Sequence, residues 1–480
     1  MSHKTKYKLG APSIQDMRTK QRQSQIEIRK NKRERRFNAK RVRLEDEEKE
    51  KPEISVDETE AVCRELVKKG SHDLEESLKT LRRALAQGPE FIDTIFKVDN
   101  CLQSLVGVLT GSDTDLQSQA AWCLTNIATG GKNHTLAVAK AAAPYFITYL
   151  TGSNTMLQDQ CAWALGNIAG DSAECCKILQ LQGCIPPLVK LLESPVPSCI
   201  QSAAFALANL IRDVSENSKE AVNHGILPLL LKLLQTKDIS TDLLCEVAWV
   251  LTYLTHSDDI AVQMVSMGFL STIVNIIVHC TVTDQIQEGQ VVTPMLRALG
   301  NICSGPDDFS LTACENPRLM PALLELLKAP LPHIARETLW VLSNMTSDYS
   351  IVLSVVYGPL LQEILAQLDK NIEFQEEALY VLCNMATHGE TVSGQLVAHG
   401  AVAKVVPLLK IFDLEVLHLA LAFCEMTIRY SDEAKFIFEE CGGLSHLEQL
   451  QNHPNSQIQE EAEEIIDTYF GKDYSEEVYD

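Results

Sequence analysis

Apolar positions along this chain fall at helical spacing, in short blocks separated by polar corners. Runs such as IPPLVKLLESP, ILPLLLKLLQTKD, LMPALLELLKAP and AVAKVVPLLKIFD place Leu, Ile or Val at i, i+3 and i+4. That is the stripe of a helix with one buried face. A Gly sits at the corner before several such helices: Gly183, Gly225, Gly268 and Gly400. Gly at a helix end allows the left-handed backbone of a tight turn between helices. Pro, Asp or Ser then breaks the chain before the next helix begins. No stretch alternates with period two between hairpin turns, so the pattern predicts helices throughout.

The blocks also repeat. One phrase returns as AAWCLTNIATG, CAWALGNIAGD, AAFALANLIRD, EVAWVLTYLTH, PMLRALGNICSG, ETLWVLSNMTSD and EALYVLCNMATHG. Its lead positions are Trp122, Trp163, Phe205, Trp249, Arg297, Trp340 and Tyr380, separated by 41, 42, 44, 48, 43 and 40 residues. The longest gap holds the polar insertion TVTDQIQEGQ. Such spacing lies in the armadillo/HEAT band of roughly 40–47 residues per helical repeat. The fold expected is all-α, a right-handed armadillo-repeat superhelical solenoid of about nine or ten repeats. LEESLKTLRRALAQGPE reads as a degenerate first repeat, LHLALAFCEMTIRYS as one without signature residues, and IQEEAEEIIDTYF as a charged terminal cap. The organisation predicted is a basic arm over 1–43, disordered or helical, then an acidic linker over 44–60. A solenoid over 61–471 follows, with an acidic tail over 472–480.

Within each signature helix the lead aromatic and the Asn four residues later share a face. The pairs are Trp122/Asn126, Trp163/Asn167, Phe205/Asn209, Trp340/Asn344 and Tyr380/Asn384. Asn is a mediocre helix former, and burying its amide costs free energy unless it finds partners. The face is therefore expected to line a groove. An Asn row can clamp the N–H and C=O groups of an extended peptide, and stacked rings make slots for Lys or Arg stems, each contact worth about 0.5–2 kcal/mol. Asp171, Glu246, Asp307, Glu337 and Glu377 beside the signatures would select cations.

Charge sharpens this picture. Residues 1–43 sum to +12 and the remainder to −34, within a net charge of −22. An acidic body should repel nucleic acid and attract basic polypeptide, and its own arm is the nearest one. For the arm itself, a nucleic-acid-binding tail and a merely solvated tail are the alternatives. The 15 Cys are scattered without C-x-x-C pairs or a preceding secretory segment, so buried reduced thiols are expected and no metal site. Residues 260–280 have nearly the length of a membrane span. Gln263, Gly268, Asn275 and His279 interrupt them, and two buried helices fit better than a span. No phosphate-binding glycine loop, nucleophile elbow or H-E-x-x-H occurs, so neither catalysis nor a cofactor is expected.

With its ladder and arm, the sequence resembles the importin-α (karyopherin-α) family of nuclear import adaptors over nearly its whole length. The resemblance includes the irregular rungs, Tyr253 in place of Asn and Arg297 in place of Trp. It implies a major site for basic nuclear localisation signals at Trp122, Asn126, Trp163, Asn167, Asp171, Phe205, Asn209, Glu246 and Trp249. It implies a minor site at Glu337, Trp340, Asn344, Glu377, Tyr380 and Asn384, bordered by Arg297, Asn301 and Asp307. The arm is similar to the importin-β-binding segment, through Arg18, Arg22, Arg29, Lys30, Lys32, Arg33, Arg35, Arg36, Lys40 and Arg41. The implied partners are basic cargo proteins, importin-β and an export receptor, for a protein shuttling between cytoplasm and nucleus. The phrase LRRALAQGPEF is similar to a divergent branch, transmembrane and coiled-coil domain-containing protein 6. An armadillo scaffold or a membrane-associated relative without import activity is the alternative function.

Overall fold

The structure, a computed structural model, describes residues 40–42, 52–68, 73–212, 214–283 and 289–471, without the side chain of Asp307. Every regular element among them is a helix. They divide into two compact units, one within Arg29–Met264 and one within Val265–Asp480. In each unit the repeat is built around one signature helix. In the first unit these are α1 (Leu74–Leu85), α2 (Thr114–Ile127), α3 (Thr155–Ala169), α4 (Pro197–Ile211) and α5 (Thr241–Leu254). In the second they are α6 (Val292–Cys303), α7 (Pro332–Met345), α8 (Ile372–Ala386), α9 (Leu414–Tyr430) and α10 (Ser456–Tyr469). Within each unit every signature helix packs on the next, and the remaining helices lie against them.

The local chemistry sets these boundaries. Asp113 caps α2 by accepting from Asp115 N and Leu116 N, and Asn154 caps α3 through Leu157 N at 3.1 Å. Pro197 and Pro332 occupy the first helical positions of α4 and α7, where a missing N–H costs nothing. At the corners Gly183, Gly225, Gly268 and Gly400 have φ of 72–90°, a region where a Cβ would be strained. In one repeat that lacks this Gly the corner disappears: Lys132–Tyr149 is one continuous helix, with Pro144 inside it. The apolar stretch over 260–280 is broken at Gly268 into Asp258–Ser266 and Phe269–Val282. Among the described residues no single helix is long and apolar enough to cross a membrane.

One boundary moves. The acidic stretch 44–60 is not linker throughout, because a helix begins at Val56. Ser55 and Glu58 form a reciprocal capping box there, which overrides the charge of the segment. The preceding residues are held as well: Pro52 O accepts from Arg83, and the backbone of Ile54 pairs with the Gln87 amide at 3.0 and 3.2 Å. The polar insertion and the acidic tail lie wholly or partly outside the described residues, as does the arm before Lys40. Arg18, Arg22, Arg29, Lys30, Lys32, Arg33, Arg35 and Arg36 therefore lie outside it too.

Candidate functional site

The five Asn–aromatic pairs are covered in this structure. Asn126, Asn167, Asn209, Asn344 and Asn384 are at most 5% exposed, and among the rings only Trp163 is more than marginally accessible. The reason is a bond that the sequence pattern did not suggest. Each Asn donates Nδ2–H to a carbonyl of the preceding signature helix: Arg82, Thr125, Gly166, Gly300 and Ser343, at 2.7–3.2 Å. One amide hydrogen thus ties repeat to repeat and meets the cost of burial. In Asn167 the amide oxygen and the amide nitrogen also meet the backbone of Arg41. The burial cost that pointed to a groove is thus met in part between the helices.

The rings are set by the same stacking. Phe205 lies against Gly166 and Trp340 against Gly300, each so close that a Cβ on the glycine would collide with the ring. Phe205 sits 6.0 Å from Trp163, and Trp249 stacks on Tyr253 at 6.0 Å. Arg82 from α1 covers the Trp122 ring at 4.0 Å, giving that rung a resident cation.

In the first unit, Lys40 and Arg41 of this chain occupy the groove. Lys40 Nζ donates to Gly130 O at 2.6 Å and to Thr135 Oγ1 at 2.7 Å, and pairs with Asp171 Oδ1. Cys175 Sγ lies 3.7 Å from the other Asp171 oxygen. Its thiol is held above its ordinary pKa, chiefly by burial. The next residue is held by its backbone. Arg41 N donates to Asn167 Oδ1 at 2.9 Å, while Arg41 O accepts from Trp163 Nε1 at 2.9 Å and from Asn167 Nδ2 at 3.1 Å. Its guanidinium lies 4.4 Å from the Phe205 centroid and pairs with Glu246 Oε1. Glu246 is 3% exposed. Burial raises its pKa, and the charge of Arg41 opposes that rise.

Asn126, Asn209 and Trp249 line the same run of helices without a described bond to Lys40 or Arg41. Thr135 and the Gly130 carbonyl are partners that sequence reasoning missed. A threonine five residues past a signature carries no mark of its own, and a carbonyl has none at all.

In the second unit the predicted residues form a similar row, with one of its acids, Glu337, already engaged. Arg297 reaches Glu337 with Nε at 2.8 Å and a terminal nitrogen at 2.7 Å, a fork on one carboxylate oxygen. Tyr380 is 1% exposed and donates its hydroxyl to Glu415 at 2.5 Å. Burial and this carboxylate push its pKa up. Glu377 is buried beside it. Asn384 Oδ1 is buried and receives no hydrogen bond, whereas the equivalent oxygen of Asn167 accepts from a peptide N–H. Asn301 is half-buried next to Gly300. Among the described residues no group of His, Cys, Asp or Glu could hold a metal ion.

The chain has recognisable relatives. The profile of the TMCO6 family matches residues 62–470. Importin subunit alpha-2 of Oryza sativa subsp. japonica is 30% identical over 421 residues, covering 83% of this chain and 78% of that protein. Importin subunit alpha-9 of Arabidopsis thaliana is 28% identical over 420 residues, covering 83% and 80%. Among solved structures, the crystal structure of an engineered protein superposes with a TM-score of 0.77 at 26% identity, over 86% of this chain and 98% of that one.

Proposed function

We propose, for a chain that belongs to the TMCO6 family and is a divergent armadillo-repeat relative of the importin-α subunits, that it binds basic signal peptides as an import adaptor. Residues Trp163, Asn167, Asp171, Phe205 and Glu246 would hold the cargo segment, and the arm would occupy that groove when cargo is absent. One observation carries this reading: Lys40 and Arg41 already lie there, gripped by backbone and by charge. Recognition through the backbone tolerates many sequences, and the two acids impose the basic character. Released from the groove, the arm would be available to importin-β. An export receptor and movement between cytoplasm and nucleus belong to the same proposal. The row in the second unit would serve as a second peptide site, an idea supported by the undonated Asn384 oxygen.

A scaffold without import activity is favoured by the TMCO6 match itself and by the Arg297–Glu337 pair, which fills a slot from within. Capture of an immobilised Lys/Arg-rich peptide by full-length protein carrying Lys40→Ala and Arg41→Ala separates the two readings. The adaptor reading expects capture that falls sharply on adding Trp163→Ala and Asn167→Ala, any remainder belonging to the row in the second unit. Absence of capture from the vacated groove, or capture indifferent to those changes, leaves the scaffold.

A further inference from the structure

The second unit holds a cavity to which no signature helix contributes a residue. Its volume of about 440 Å³ is ordinary for a small ligand site. One wall is the helix Phe269–Val282, and the other is the corner that precedes Leu319–Leu327. Both walls depart from the repeat. The helix has 14 residues, where Ile226–Leu234 and Leu319–Leu327 have nine and Leu360–Gln367 has eight. Its extension past that length supplies Val278, His279 and Val282. The corner carries Asn316, Pro317 and Arg318, where Gly183, Gly225, Gly268 and Gly400 turn four others. A place that breaks the rule of its own repeat on two sides is where function is expected to have left a mark.

The corner is held firmly. Asn316 Nδ2 donates to Asn275 Oδ1 on the facing helix at 2.9 Å, and Asn316 Oδ1 accepts from Arg318 N at 2.9 Å. Pro317 fixes its own φ. The cavity is thus shaped before a ligand arrives, which lowers the cost of binding. Its unspent polar groups are donors. Arg318 offers a planar fork of N–H groups and His279 an imidazole, while Asn275 keeps its amide hydrogens because the bond to Asn316 uses its oxygen. The Arg318 and His279 side chains are exposed, with no described ion pair or hydrogen bond. Among the described residues no Asp or Glu lines the cavity, and the adjacent Glu315 is exposed. Apolar surface completes it: Pro317, Val278 and Val282, the last 73% exposed.

In a body that sums to −34, a concavity lined by a cation and free of acids is a local inversion. A guanidinium takes both oxygens of a carboxylate as a fork, and the valines and proline beside it favour an aliphatic group. At 0.15 M salt the screening length is about 8 Å, so distant acids repel such a ligand little and the near donors decide. We propose that this cavity is a docking site for an acidic segment of a partner protein, one in which a Glu or Asp adjoins a bulky aliphatic residue. Arg318, with His279 and Asn275, receives the carboxylate, and Val278, Val282 and Pro317 cover its aliphatic neighbour. This site shares no residue with the groove and does not depend on the groove's binding basic peptides.

The test uses full-length protein and short peptides with blocked ends, Ser-Gly-Glu-Leu-Gly-Ser and its Gln-Leu and Glu-Ser counterparts. Saturation-transfer difference NMR registers binding in the weak range expected of a single small cavity. The Glu-Leu peptide should receive saturation at its leucine methyl groups and reach a plateau on titration. Gln-Leu and Glu-Ser should each bind about fivefold more weakly or worse. Arg318→Ala should weaken Glu-Leu binding by a similar factor, and Val282→Ser by about threefold. Both side chains are exposed, so both variants should keep the parent's denaturation midpoint. Absence of saturable transfer to the Glu-Leu peptide would overturn the proposal. Equal binding of Glu-Leu and Gln-Leu would do the same. Glu-Leu binding that ignores Arg318→Ala would place the peptide on the basic arm or elsewhere, and would overturn it too. The comparison of peptides on the parent protein cannot be imitated by a misfolded variant.

Discussion

Asn167 makes three hydrogen bonds with one carboxamide: to Thr125 O on the neighbouring helix, and to both the N and the O of Arg41. Asn209 makes the structural bond to Gly166 O, and no described peptide lies on it. The two residues therefore separate stapling from recognition. Asn209→Ala removes the tie to Gly166 O, which keeps its bond from Gly170 N, and should cost about 0.5–1.5 kcal/mol of stability, read as a lower denaturation midpoint, with peptide capture at Lys40/Arg41-vacated sites little changed. Asn167→Ala should cost a similar amount of stability and also lose capture. Equal capture by both variants would mean that the carboxamide acts only between repeats. The recurrence of Asn was plain in the sequence, and so was the cationic character of its ligand. The double use of the amide was not, because it depends on a carbonyl one repeat away. A backbone acceptor leaves no trace in side-chain identity. Thr135 escaped for a related reason, its place beside Asp171 being set by a corner rather than by the signature phrase.

Between elements, small residues decide how closely signature helices approach. The phrase ALGN occurs in α3 and α6, and in both the Gly faces the lead ring of the next signature helix, Phe205 or Trp340. Gly300→Ala would drive a methyl group into the Trp340 ring, and the expected cost is about 1–3 kcal/mol of overpacking. Chemical denaturation should show the loss, and pairing with Trp340→Phe, which frees space at the ring edge, should recover part of it. A Gly300→Ala protein as stable as its parent would show that the ring has room to move. Periodicity, corner glycines and capping residues made nearly every helix readable, including the break at Gly268 in the apolar stretch. The elements misread were those where a local device overrides the average. The Ser55–Glu58 box starts a helix in a segment whose charge suggested a linker, and KAAAP continues a helix through a corner that has no Gly.

For the chain as a whole, the proposed function implies that a tethered cationic arm would compete with any free cationic peptide for the same carboxylates. A segment joined by a short linker acts at an effective concentration on the order of millimolar. If a free basic segment binds at roughly 10 μM, the arm would weaken apparent affinity for added peptide about a hundredfold. Pro52 and Ile54, held on Arg83 and Gln87, fix the tether only ten or so residues from the groove and keep that concentration high. Salt acts on this balance in a definite direction. Arm and peptide both lose attraction to a body of net charge −34 as screening shortens from about 10 Å at 0.1 M to about 3 Å at 1 M. Both intrinsic affinities then fall, yet the advantage of removing the arm falls too, because it scales with the arm's own affinity. Peptide titrations of the parent and of the Lys40→Ala, Arg41→Ala protein should therefore differ most at low salt and converge as salt rises. A ratio that stays constant with ionic strength would mean that the arm is held by packing and backbone bonds alone. An absent difference at every salt concentration would mean that the strand seated on Asn167 does not compete with an added peptide.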